Sequence, residues 1–154
     1  LVHGERNNAN YRTSHAEGSY TTTNGLASHT EGYYTVTSGA YSHAEGNGTL
    51  AQGSASHSEG YLTTASGDYS HAEGEGSSAI GHYSHAEGSV TSAFGNGSHA
   101  EGSHTKAFGV NSHAEGLGTI AKADYHFLCT FFSYRVKPCR FTDCPIFIEG
   151  KIEI

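Results

Sequence analysis

Small residues alternate with large polar residues in short runs along most of the chain, and each run ends at a glycine. The run Ser14-His-Ala-Glu-Gly18 sets the pattern, with two small residues, two large polar residues and the closing glycine. Because successive side chains of a β-strand point to opposite faces, this alternation predicts a short strand with one small-residue face and one His–Glu face. A glycine after such a run is typical of a turn.

The same run returns every fourteen residues without an insertion. A second run of the form Thr-x-Ala-x-Gly starts seven residues after the first, as in Thr63-Thr-Ala-Ser-Gly67. Uninterrupted repetition is typical of solenoids, in which each unit buries its inner face by stacking on its neighbours. Two strands per unit predict an all-β fold, a parallel β-roll (β-solenoid) of 14-residue coils. The eight units begin at Ser14, Ser28, Ser42, Ser56, Ser70, Ser84, Ser98 and Ser112.

The repeat divides the chain into two parts. Residues 1–125 are predicted to form the β-roll, with eight full repeats and one degenerate N-terminal unit. Residues 126–154 lack the repeat and contain Cys139 and Cys144, which are close enough in sequence for a disulfide. The ends of a solenoid present unpaired backbone groups. We therefore expect residues 126–154 to cap the roll or to dock into a neighbouring molecule, with capping the preferred alternative.

The interior of such a narrow coil has room only for small side chains. Ser14 and Ala16 are expected to face Thr21 and Thr23 across it. Buried hydroxyls are expected to bond to turn backbone, since an unpaired buried polar group costs about 1–3 kcal/mol. Glycines at the fifth and twelfth places of each unit are expected to turn the corners, where positive φ favours glycine.

The outward residues of the first strand are the same in every unit, whereas those of the second strand vary from Val36 and Leu50 to Lys106 and Phe108. A face that only meets water tolerates such variation, so the uniform face is predicted to pack against the same face of another copy. We call this uniform surface the His–Glu face. It comprises His15, Glu17, His29, Glu31, His43, Glu45, His57, Glu59, His71, Glu73, His85, Glu87, His99, Glu101, His113 and Glu115.

The His–Glu face also raises the question of a metal. Stacked coils repeat a His-x-Glu pair about every 4.8 Å, and imidazole suits zinc, nickel or copper. The same atoms can instead satisfy one another as a ladder of His–Glu pairs. We expect the paired ladder and no metal or other cofactor, with metal binding by the repeat histidines as the less favoured alternative.

Each unit carries the residue types of a Ser-His-acid triad. Ser14 and His15 are neighbours on one strand, however, so their side chains are expected to point to opposite faces. The chain is therefore predicted not to be an enzyme. Four tyrosines, Tyr41, Tyr69, Tyr83 and Tyr125, end their units and are expected to stack along an edge of the roll, with receptor or glycan binding as the alternative.

Composition narrows the choice of partners. The formal net charge is −7, with only eight lysines and arginines, which argues against a nucleic-acid surface. No apolar run approaches the roughly 20 residues that a membrane-spanning helix needs.

The unit Ser-x-Ala-x-Gly-x-x-Ser/Ala-x-Ala-x-Gly, over residues 4–125, resembles the head repeats of YadA-like trimeric autotransporter adhesins. Its Ser-His-Ala-Glu-Gly version is also similar to stretches of phage tail-fibre proteins. The resemblance implies a left-handed roll, three rolls packed side by side, and an extracellular, cell-surface or virion-surface location. In adhesin heads the trimer interface uses outward apolar residues, where this chain has His and Glu.

These observations together predict a non-catalytic structural fibre protein that assembles with itself, as a trimer, through the His–Glu face. End-to-end filament growth would extend such a fibre. The alternative is an adhesin-like head module that binds a cell-surface or glycan receptor.

Overall fold

The structure, a computed structural model, describes residues 1–129, which form strands joined by tight turns. The strands of the first sheet are β1 (Val2–Glu5), β3 (His15–Ser19), β5 (His29–Tyr33), β7 (His43–Asn47), β9 (His57–Tyr61), β11 (His71–Ala72), β13 (His85–Ser89), β15 (His99–Ser103), β17 (His113–Glu115) and β19 (Phe127–Cys129). Those of the second sheet are β2 (Asn8–Ala9), β4 (Thr22–Thr23), β6 (Val36–Thr37), β8 (Leu50–Ala51), β10 (Thr64–Ala65), β12 (Ser78–Ala79), β14 (Ser92–Ala93), β16 (Lys106–Ala107) and β18 (Ile120–Ala121). This part of the chain contains no helix that could cross a bilayer.

The two sheets have ten and nine parallel strands, and the chain alternates between them as it winds. Neighbouring strands pair with a shift of one repeat: His71 lies opposite His57 on one side and His85 on the other. The second sheet has the same register, with Ala65 opposite Ala79. The predicted all-β parallel solenoid of 14-residue coils is therefore confirmed.

Small residues fill the space between the sheets, as the alternation predicted. Ala16, Thr21 and Thr23 are fully buried and Ser14 is almost so. In the C-terminal half the core is a continuous column of alanines from both sheets, from Ala65 to Ala121. Because the inward side chains are this small, the two sheets can lie close enough for a single 14-residue coil to enclose them.

Most of the buried serines bond to turn backbone as expected, whereas the hydroxyl of Ser98 has no hydrogen-bond partner among the described residues. The hydroxyl of Ser70 donates to the carbonyl of Gly67 at 2.6 Å, and that of Ser28 donates to Gly25 at 2.7 Å. The threonines follow the expectation only in part. Thr63 donates to the carbonyl of Glu59 at 3.0 Å. Four other hydroxyls have no hydrogen-bond partner among the described residues, namely those of Thr21, Thr35, Thr49 and Thr105.

The glycines at the fifth and twelfth places are required for different reasons, and the prediction of positive φ was wrong for the twelfth place. Fifth-place glycines have φ between 94° and 106°, which favours glycine. Twelfth-place glycines such as Gly67 lack positive φ; a Cβ there would collide with the carbonyl oxygen of Gly81 in the next coil. The left-handed corner positions are the seventh and fourteenth places, including Tyr20 (φ 60°) and Tyr83 (φ 58°).

The first sheet continues beyond the last repeat by one strand. Phe127 lies opposite His113 and Leu128 opposite Ala114, in the register of the preceding coils. Leu128 also packs against the alanine core. Cys139 and Cys144, and the capping or docking role predicted for the rest of residues 126–154, lie outside the described residues.

Candidate functional site: the His–Glu face

Histidines at the second place of each coil stack ring on ring along the first sheet. From His15 to His99, successive ring centroids are 4.7 to 4.9 Å apart and the rings are within 8° of parallel. This spacing is that of adjacent β-strands, so the in-register backbone sets it. The stack ends at His113, whose ring is turned by 65° relative to His99.

Most carboxylates of the His–Glu face lie within 4.0 Å of a histidine of their own coil or of the next coil. Glu17 shows both contacts, with Oε2 at 3.6 Å from His15 Nε2 and Oε1 at 3.9 Å from His29 Nε2. Glu87 is placed in the same way, at 3.9 Å from Nε2 of both His85 and His99. Within one chain, these pairs give the face the His–Glu ladder that the sequence indicated.

Most of these contacts are too long to be hydrogen bonds. His71 Nε2 lies 3.3 Å from Glu59 Oε1 and is hydrogen-bonded. On the His–Glu face, the buried Nε2 atoms without a hydrogen-bond partner among the described residues are those of His15, His29, His43, His57, His85, His99 and His113. The imidazoles are about one third exposed, for example 35% at His85. The face thus combines accessible ring edges with buried nitrogen atoms whose bonding capacity is unused.

Burial lowers the pKa of His99, and the neighbouring charges of His85 and His113 lower it further. Glu101 and Glu87 act in the opposite direction without reversing the shift. At neutral pH the imidazole of His99 is therefore uncharged, and its nitrogen can act as an acceptor or as a metal ligand.

The carboxylates also influence one another along the ladder. Burial raises the pKa of Glu101, and its hydrogen bond with Glu87 raises it further. For Glu59 burial acts in the same direction, but the hydrogen bond with Glu45 and the nearby histidines outweigh it and lower the pKa. The pKa values of these two carboxyl groups therefore shift in opposite directions, although both belong to the same ladder.

The predicted site residues all lie on this one face, half-buried on the outer side of the first sheet. A shallow groove runs beside them, between the carboxylates from Glu17 to Glu59 and the fifth-place glycines. The repeat serines are on the other side of the strand, as Ser28 shows by bonding to Gly25 inside the roll. The predicted separation of serine from histidine is therefore confirmed.

Aromatic side chains form further stacks on the surface. Tyr69 and Tyr83 stack at 5.1 Å, as predicted, but Tyr41 and Tyr125 have no tyrosine at the same place in an adjacent described coil. Sequence reasoning missed the stack of Tyr20 on Tyr34 at 4.7 Å, although their fourteen-residue spacing indicates it. On the second sheet, Phe94 and Phe108 stack at 4.6 Å.

Comparison with known proteins agrees with this architecture. Residues 72–98 and 100–121 match the YadA head domain repeat as two copies. No curated protein matches the chain. The coils on both sides of the matched segments have the same length and register. The matched coils are therefore similar to YadA head repeats, and the rest of the roll fits the same 14-residue architecture.

Proposed function

We propose that this protein is a non-catalytic structural module of an extracellular fibre on a cell or virion surface, built by lateral packing of three copies through the His–Glu face. The observation that carries the proposal is a face on which histidine and glutamate recur in eight coils while the imidazoles stay about one third exposed, for example 35% at His85. A second copy of the roll would cover the exposed parts of the rings.

The contrast between the two sheets supports lateral packing. Outward residues of the second sheet include Leu50, Lys106 and Phe108, which have little in common. On the first sheet, histidine and glutamate recur in register over eight coils. A partner that repeats with the same spacing explains this regularity, and another copy of the roll has that spacing. The YadA-like repeat favours three copies about one axis, because head modules of that family are trimeric.

Light scattering on the full chain at micromolar concentration tests the proposal. The native protein should have the mass of a trimer, and the double variant H71K/H85K should be largely monomeric because lysines replace two central rings. The control T64K/S92K places the same charges on outward positions of the second sheet and should remain trimeric. A native monomer, or equal loss of assembly in both variants, would refute packing through this face.

A second function, receptor or glycan binding, rests on the second sheet. Phe94 and Phe108 are 36% and 43% exposed, and Ile80 precedes them in the same column. Exposed aromatic faces are typical of ligand contacts. Binding of the soluble protein to a panel of glycans, lost in F94S/F108S but retained in H71K/H85K, would support this function. We prefer self-assembly because the stack of Phe94 and Phe108 spans two coils and the His–Glu face spans eight.

A further inference from the structure

We propose that the His–Glu face binds divalent transition-metal ions, each held between two adjacent coils by two imidazole Nε2 atoms and one carboxylate oxygen. One such group comprises His85, Glu87 and His99. Equivalent groups are His15, Glu17 and His29; His29, Glu31 and His43; His57, Glu59 and His71; and His71, Glu73 and His85. All three ligands come from a single chain, so binding does not require lateral assembly. Water or a group from a partner copy would complete the coordination.

The donor atoms suit zinc and related transition metals. Two imidazoles and a carboxylate form a ligand set that occurs in protein zinc sites with one open position. Nickel and copper accept the same nitrogen donors, whereas calcium and magnesium prefer oxygen ligands alone. The chemistry of the face therefore selects transition metals over the harder cations.

The distances also fit. Nε2 of His85 lies 3.4 Å from Glu73 and 3.9 Å from Glu87, which is too long for a good hydrogen bond. Zinc with bonds of about 2.1 Å separates its tetrahedral ligands by roughly 3.4 Å. In each group the three ligand atoms lie within 4.8 Å of one another. Side-chain rotations that move each ring by roughly 1 Å would bring the three ligand atoms to bonding distance from one ion.

Buried imidazole nitrogens without a hydrogen-bond partner are the independent observation that points to a bound ion. Both histidines of the His85–Glu87–His99 group have a buried Nε2 atom without a hydrogen-bond partner in the described part of the chain. An ion between them would engage both nitrogens at once. Pairing of imidazole with carboxylate alone does not use these nitrogen atoms, because the distances between the two groups are too long for hydrogen bonds.

The ladder geometry limits the number of ions. Adjacent groups share a histidine, as the groups around Glu59 and Glu73 share His71. One Nε2 atom binds one ion, so neighbouring gaps cannot both be filled. Among the groups named above, those around Glu17, Glu59 and Glu87 share no histidine, which gives about three ions for residues 1–129.

Titration of the chelator-treated full chain with Zn²⁺ and Co²⁺ tests this proposal, with calorimetry and the visible absorption of bound Co²⁺ as readouts. We expect about three ions per chain for the native protein and about one for H71Q/H85Q/H99Q, which retains the group around Glu17. The control T64Q/S78Q/S92Q changes outward positions of the second sheet in neighbouring coils and should bind like the native protein.

Absence of Co²⁺ bands, or equal stoichiometry in the two triple variants, would overturn the proposal. Light scattering with chelator and with Zn²⁺ separates this result from the proposed lateral packing. Trimers without metal uptake would refute the metal site alone. Metal uptake by a monomer would support the metal site and refute the packing.

Discussion

His85 and His99 stack with their ring centroids 4.7 Å apart and their planes within 5° of parallel. They are fourteen residues apart and lie opposite each other on adjacent parallel strands. This relationship repeats along the roll, so one sequence interval fixes both the backbone ladder and the side-chain ladder. An insertion of one residue in any coil would move its histidine out of the stack and, by the alternation of a strand, onto the other face.

Glycine at the twelfth place is predicted to be required for space, not for conformation. G67A places a methyl group against the carbonyl of Gly81 and should destabilise the roll by about 3 kcal/mol or more, because neither backbone can move without breaking the ladder. G118A is the control, since Gly118 has φ +66° and open space around a Cβ, and it should cost about 1 kcal/mol. Urea unfolding measures both, and equal losses would show that collision is not the cause.

Two buried threonines are predicted to respond to the same substitution with opposite sign. T105V removes a hydroxyl without a partner in the described residues and should stabilise the roll by about 1 kcal/mol. T63V removes the donor to Glu59 and should destabilise it by a similar amount, about 1 kcal/mol. Both side chains are fully buried, so their apolar contributions are matched. Thermal unfolding that shifts in the same direction for both variants would contradict this prediction.

Stability of the chelator-treated protein is predicted to fall at mildly acidic pH because of His99. Its pKa is lowered in the folded state, so the unfolded chain binds a proton at higher pH than the folded one does. The contribution of His99 to the free energy of unfolding is fully present above about pH 6.5, the ordinary pKa of histidine, and is lost as the pH falls below that value.

Urea midpoints of the native protein and H99Q between pH 7.5 and 5.5 measure this effect. The native protein should lose more stability over that interval than H99Q does. Glu101 contributes with the opposite sign, because its raised pKa favours folding at lower pH, but it is present in both proteins. A steeper loss in H99Q would show that protonation of His99 does not oppose folding.

The alternation of small and large residues was enough to predict the strands and their faces. Ala16 and Thr21 are buried and His15 is on the outside because a strand has a period of two, which is a local property of the backbone. The fourteen-residue interval likewise predicted the pairing of equivalent residues, such as His71 with His85. These features required no knowledge of how far apart the coils lie.

The spacing between coils decided what the sequence alone left open. It makes Gly67 necessary although its φ is not positive, and it places Nε2 of His99 3.9 Å from Oε1 of Glu87 in the preceding coil, which is too far for a hydrogen bond but within reach of a shared ion. It also lets Phe127 continue the sheet where the repeat has ended, since backbone pairing does not depend on the repeat residues. Contacts of this kind join residues of different coils at distances set by the stacked backbone, so only the tertiary structure determines them.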